Sequence, residues 1–290
     1  MHALQNAVTL SAPGAPRAAA QAVVLPGEGM TLRSLQLDGI EAICQGRARE
    51  YQACRKGFGP LIGPHFNQRT QLPAAAQENP GRWPQAAALA QLGIRDLWQH
   101  GVARYVPWDY TVMPDGIRAS LTGRRRLAGI PLRDIQGGDF ELRLEMRIDG
   151  AGLRIHYTAE ADFPPVIGLH YYYELPDDRG RVRAPVTGWM QPHQPAAAIP
   201  AAWMDAAGRR LELELDRELD HIFPLRPGPI ELETRTHRVW TIPETGVQSL
   251  VVFHPGPNGW VCVEPLSAAN PGQPSGTRAE MALTIRLEPA

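Results

Sequence analysis

FELRLEMRID (140–149) and LRIHYTAEADF (153–163) carry the reading of the fold. In the first run Phe140, Leu142, Leu144, Met146 and Ile148 face one way, and Glu141, Arg143, Glu145, Arg147 and Asp149 face the other. A period of two belongs to a strand with one buried and one solvated face. Asp149, Gly150 and Gly152 mark a turn, so the two runs are expected to form a hairpin. The same alternation returns in LELELD (211–216), IELETRTH (230–237) and MALTIRLE (281–288). The apolar runs QSLVVF (248–253) and WVCVE (260–264) read as strands buried on both faces. Helical signals are few: a short helix is expected over 84–93 (PQAAALAQLG), and a turn or two within 196–206. Strands following one another at short spacing exclude a βαβ repeat and predict an all-β, large antiparallel β-sandwich with few short helices.

Composition bounds the rest. The 290 residues are 43% hydrophobic and 20% charged, which describes a folded chain able to bury a large core. We expect one domain over residues 18–290, preceded by a loosely ordered Ala/Pro-rich segment, 1–17. The net charge of −1 leaves no electrostatic footprint for nucleic acid. Lys56 is the only lysine, so Schiff-base chemistry would have to rest on it. The three cysteines, Cys44, Cys54 and Cys262, form no CxxC pair, which argues against a disulfide framework and a zinc ribbon. The first residues lack a basic start followed by an apolar core, and no window approaches a membrane helix. A cytoplasmic protein is expected, as a monomer or homodimer.

A few polar residues break the strand pattern. His100 follows a short apolar stretch in WQHGVAR (98–104), and alone it reads as a surface histidine beside a turn. His170 interrupts the aromatic run VIGLHYYYEL (166–175); Tyr171, Tyr172 and Tyr173 beside it could form a wall for a flat ligand. Glu264 shares a strand face with Cys262, opposite Val261 and Val263. A carboxylate there is costly unless it is paired or functional, and burial would raise its pKa toward that of a usable base. Asp220 and His221 in ELDHIFPL (218–225) read equally as a polar turn. Asn67 and Arg69 lie in the turn-rich GPLIGPHFNQRT (59–70).

Taken in order, GPLIGPHFNQR, HGVAR, the hairpin, GLHYYYEL, LDHIFPL and VVFHPGPNGWVCVEP resemble the galactose mutarotase-like aldose 1-epimerases. The resemblance runs from about residue 20 to the C-terminus. GLHYYYEL looks like the family's His-Pro-Tyr-Phe strand, with Tyr171 in place of proline, and Gln68 interrupts the family's Asn-Arg pair. The resemblance implies a supersandwich fold and interconversion of the α and β anomers of an aldose, with no cofactor and no metal. It implies Glu264 as the base on the anomeric hydroxyl and His170 as the acid on the ring oxygen. His100 would hydrogen-bond the sugar; Asp220, Asn67 and Arg69 would bind hydroxyls, with Tyr172 in the wall.

HGVAR is closest to the branch acting on hexose 6-phosphates, and Arg104 is the candidate phosphate ligand. The run Arg124–Arg126 is more simply a solvated face, since three successive strand residues cannot all face one ligand. The rival class is a carbohydrate-binding sandwich without catalysis, because a fold alone does not decide function. Its discriminant is the trio Glu264, His170 and His100, since binding alone needs no matched acid and base. An accessory domain of a larger polysaccharide-degrading enzyme is a third reading. The nine histidines show no HExxH spacing; a metal held by His100, His170 and a carboxylate ranks below the acid/base reading.

Overall fold

A computed structural model describes residues 7–12, 20–67, 99–127, 129–191 and 194–290. The helix expected over 84–93 and the candidate Arg69 lie outside the described residues. The hairpin forms as expected: Phe140–Asp149 pairs antiparallel with Gly152–Ala161, Phe140 opposite Ala161 and Asp149 opposite Gly152. Its five alternate apolar residues are buried, while the charged residues between them stay partly or fully exposed. A one-residue slip would reverse both faces, so the pattern itself fixes the register. Gly152 (φ +137°) is required at the turn, because a side chain there would overlap the Ile285 carbonyl of the neighbouring strand.

That hairpin lies inside an antiparallel sheet of nine strands. Their order is Leu211–Glu214, Gly180–Ala184, Ile230–Thr234, His237–Thr245, Arg278–Pro289, Gly152–Ala161, Phe140–Asp149, Gly116–Thr122 and Asp109–Met113. A second sheet runs Glu218–Pro224, Ser249–Pro255, Trp260–Leu266, Gly168–Leu169 and Leu61–Ile62, with Tyr172–Glu174 also paired to Trp260–Leu266. One apolar cluster joins Leu142, Leu144, Ile155, Tyr157 and Leu283 of the first sheet to Leu61, Leu169, Phe223, Val252, Val261 and Val263 of the second. The core therefore lies between the two sheets, as in a sandwich. The opposite face of the second sheet is left to carry other side chains.

The structure departs from the sequence reading at particular places. The run 230–237 is two strands, because Thr234 Oγ1 accepts hydrogen bonds from the backbone N–H groups of Thr236 (3.3 Å) and His237 (3.1 Å) and turns the chain. Val8–Ser11, within the segment expected to be loosely ordered, pairs with Ala20–Leu25 and buries Leu10. The helix Ala48–Cys54 was not anticipated; Tyr51 is its one buried residue, so no apolar stripe announces it. Within 196–206 only the single turn Ala201–Trp203 forms. No helix among the described residues is long and apolar enough to cross a membrane.

Candidate active site

The Trp260–Leu266 strand is buried throughout. Val261 and Val263 enter the core between the sheets, so the pleat turns Cys262 and Glu264 to the outer face. Two separate short strands pair with this one: Gly168 lies opposite Leu266, and Tyr172 opposite Cys262. Between them the chain leaves the ladder at His170, whose N–H donates instead to the Pro60 carbonyl (2.9 Å). That break brings the His170 ring over the outer face. His170 Nε2 lies 3.4 Å from Glu264 Oε1, and the two residues are 7% and 2% exposed. The Tyr172 ring stacks on His170 at 5.0 Å and 16°, fixing the imidazole plane.

His100 arrives from a loop. It sits at φ +62° and is followed by Gly101 at φ +76°, where any side chain would overlap the Gly63 carbonyl. The Gly63 N–H donates to the His100 carbonyl (3.0 Å) and the His100 N–H donates to the Asn67 carbonyl (3.1 Å). The Asn67 N–H donates to His100 Nδ1 (3.2 Å). Neutral His100 then carries its proton on Nε2, as a donor. Its ring meets His170 edge-on at 4.9 Å. Arg104, on the turn Ala103–Tyr105, is buried, and its Nε and one terminal nitrogen (NH2) have no hydrogen-bond partner among the described residues.

A cavity of about 160 Å³ gathers Asn67, His100, Arg104, His170, Tyr172, Asp220 and Glu264. Every site residue expected from the sequence that falls within the described residues thus lines one space. Asp220 stands mid-strand, opposite Phe253, and not in a turn. Arg124 and Arg126 are exposed and lie outside the cavity, while Arg125 pairs with Asp109. Lys56, Phe66, Gln99, Val251 and Phe253 also line it and were not singled out as site residues. A single lysine in so arginine-rich a chain was the signal that could have drawn attention to Lys56.

Burial dominates the electrostatics. It pushes the Glu264 carboxyl well above the ordinary carboxylate range; the Arg104 guanidinium opposes the rise and Asp220 adds to it. Burial pushes His170 well below the usual imidazole value, with Arg104 adding to the fall. His100 falls for the same two reasons, and the neighbouring His170 adds to them. A buried carboxyl and a buried imidazole in contact titrate as one unit and share a proton most readily.

A two-sheet antiparallel sandwich of this kind is the fold shared with galactose mutarotase-like proteins. The sequence profile of the aldose 1-epimerase family matches residues 17–262, most of the chain, and the protein belongs to that family. Glu264 stands two residues beyond the matched range. The fold is similar to a protein from Escherichia coli K12 provisionally named an aldose 1-epimerase: TM-score 0.71, 13% identity, covering 98% of this chain and 99% of that one. It is also similar to a galactose mutarotase-like protein from Lactobacillus casei, with TM-score 0.68, 16% identity and coverage of 98% and 100%. A galactose mutarotase-like protein from Clostridium acetobutylicum gives TM-score 0.66 and 12% identity, with 94% of each chain covered. No curated protein matches this chain.

Proposed function

We propose that the protein is a mutarotase, which interconverts the α and β anomers of an aldose by acid/base ring opening. The observation that carries this reading is the buried Glu264–His170 pair, 3.4 Å apart at one cavity. Ring opening removes a proton from the anomeric hydroxyl and adds one to the ring oxygen. Both oxygens are bonded to the same carbon, so two protein groups in contact can reach both. The pair needs one proton in total: placed on His170 it leaves Glu264 as base and His170 as acid. Arg104 favours an ionised Glu264 and disfavours a protonated His170, so it does not by itself decide which of the two holds the proton. The ring opens to the aldehyde, the C1–C2 bond rotates, and closure on the other face reverses both transfers. Positioned acid and base groups each contribute about 10²–10⁴-fold.

The remaining cavity residues would hold the sugar. His100 Nε2–H and the unpartnered nitrogens of Arg104 supply donors, Asp220 and Asn67 face hydroxyls, and Tyr172 closes one wall. The cationic side chains of Lys56 and Arg104 at one cavity support an aldose phosphate as well as a free aldose. NMR saturation transfer between anomers tests the reading on glucose, galactose and glucose 6-phosphate. Exchange accelerated by wild type and abolished in Glu264→Gln supports it, and the best sugar names the branch. Sugar binding without faster exchange on any of them would leave a binding module instead.

A further inference from the structure

The Glu264–His170 pair has a third neighbour that ring opening does not use. Cys262 shares the outer strand face with Glu264, and the ligand-capable atoms of His170, Cys262 and Glu264 all lie within 4.8 Å of one another. Two nitrogen or oxygen ligands on a tetrahedral zinc ion stand about 3.4 Å apart, given bonds of roughly 2.0–2.2 Å. His170 Nε2 and Glu264 Oε1 are separated by 3.4 Å without any movement. One carboxylate, one thiolate and one neutral imidazole carry two negative charges, so a divalent ion makes the buried site neutral. That matters where all three side chains are nearly inaccessible. Glu264 and His170 also line the cavity, which leaves a fourth position open to water or a sugar hydroxyl.

We propose that His170, Cys262 and Glu264 form a reversible zinc site, and that zinc there switches off the proton-transfer pair. Zinc takes the imidazole Nε2 and the carboxylate oxygen that would otherwise share a proton, so the ion and the productive pair exclude each other. Ligation requires the Cys262 thiolate, so binding releases the thiol proton to solvent. Affinity therefore rises with pH. The Arg104 guanidinium repels the ion, and His170 Nδ1 has no hydrogen-bond partner among the described residues to support a metal ligand. Both features make this an inhibitory site that exchanges its metal, rather than a permanent one.

The test is a titration of zinc chloride into the sugar-free protein by calorimetry, in two buffers of different ionisation enthalpy. The expected result is one zinc per chain with release of protons to the buffer. Cobalt(II) in place of zinc should give a thiolate-to-metal charge-transfer band. Cys262→Ala, checked for folding by its thermal melt, should lose the band and bind zinc roughly tenfold or more weakly. Cys262→Ser serves if the alanine variant does not fold, and should also lose the band. Absence of the band in wild type, its persistence without Cys262, or equal zinc affinity in wild type and variant overturns the proposal. None of these readouts involves a sugar, so they stand or fall separately from anomer exchange.

Discussion

Glutamine in place of Glu264 keeps the shape of the side chain and removes its titration, so it separates the chemistry of this residue from its energetics. The carboxyl is 2% exposed and burial pushes its pKa well above the ordinary value of 4.5. A group whose pKa is raised on folding stabilises the native state most when protonated. That stabilisation is fully present below pH 4.5 and is lost as pH rises through the folded value. Each pH unit in that window costs about 1.4 kcal/mol, which sets a ceiling of about 3 kcal/mol at pH 7. Arg104, which partly compensates the carboxylate, reduces that figure. Glu264→Gln is therefore expected to be catalytically dead yet more stable than wild type, with the advantage near zero at pH 4.5 and growing toward pH 8. At about 2–4 °C per kcal/mol, thermal melts across that pH range would resolve it. The same samples report activity by saturation transfer, where loss of the proposed base should cost about 10²–10⁴-fold. A variant less stable than wild type at pH 8 would refute the argument, since it would mean that Arg104 holds the carboxylate ionised at a net gain.

Two further outcomes follow from the His100 loop. Gly101→Ala places a methyl group on the Gly63 carbonyl at φ +76°, and should destabilise by about 2 kcal/mol or more. It should also slow anomer exchange by displacing His100; unchanged stability and exchange would show that this contact does not position the ring. His100 has its pKa depressed by folding, so its contribution is lost as pH falls below the ordinary value of 6.5, by at most about 2 kcal/mol at pH 5. In urea denaturation, the stability of wild type relative to His100→Gln should fall as pH goes from 7 to 5. Glu264 changes in the opposite sense but in both proteins, so a constant difference would contradict a buried neutral imidazole.

Much of this was legible in the chain. The alternation at 140–149 decided the central hairpin, because a half-buried strand admits only one register for that pattern. WVCVE announced a strand buried on both faces, and its parity placed Glu264 beside Cys262 before any partner was known. Less legible was whatever depends on local hydrogen bonds. Thr234 splits one alternating run into two strands through its own hydroxyl. Ala48–Cys54 is helical with only Tyr51 buried, so its amphipathic signal is nearly absent.

The sequence by itself named Glu264 and His170 as the candidate base and acid and determined which strand face Glu264 occupies, because strand periodicity is local. Only the tertiary structure decided that they meet. Glu264 and His170 are 94 positions apart, and the Trp260–Leu266 strand joins them by pairing with Gly168 and with Tyr172 while the chain between leaves the ladder. Lys56 and Arg104 reach the same cavity from loops on other elements. The depth of burial that sets the protonation of Glu264, His170 and His100 is likewise a property of the packed sandwich. It depends on how much water the whole molecule removes from the site, which no local pattern encodes.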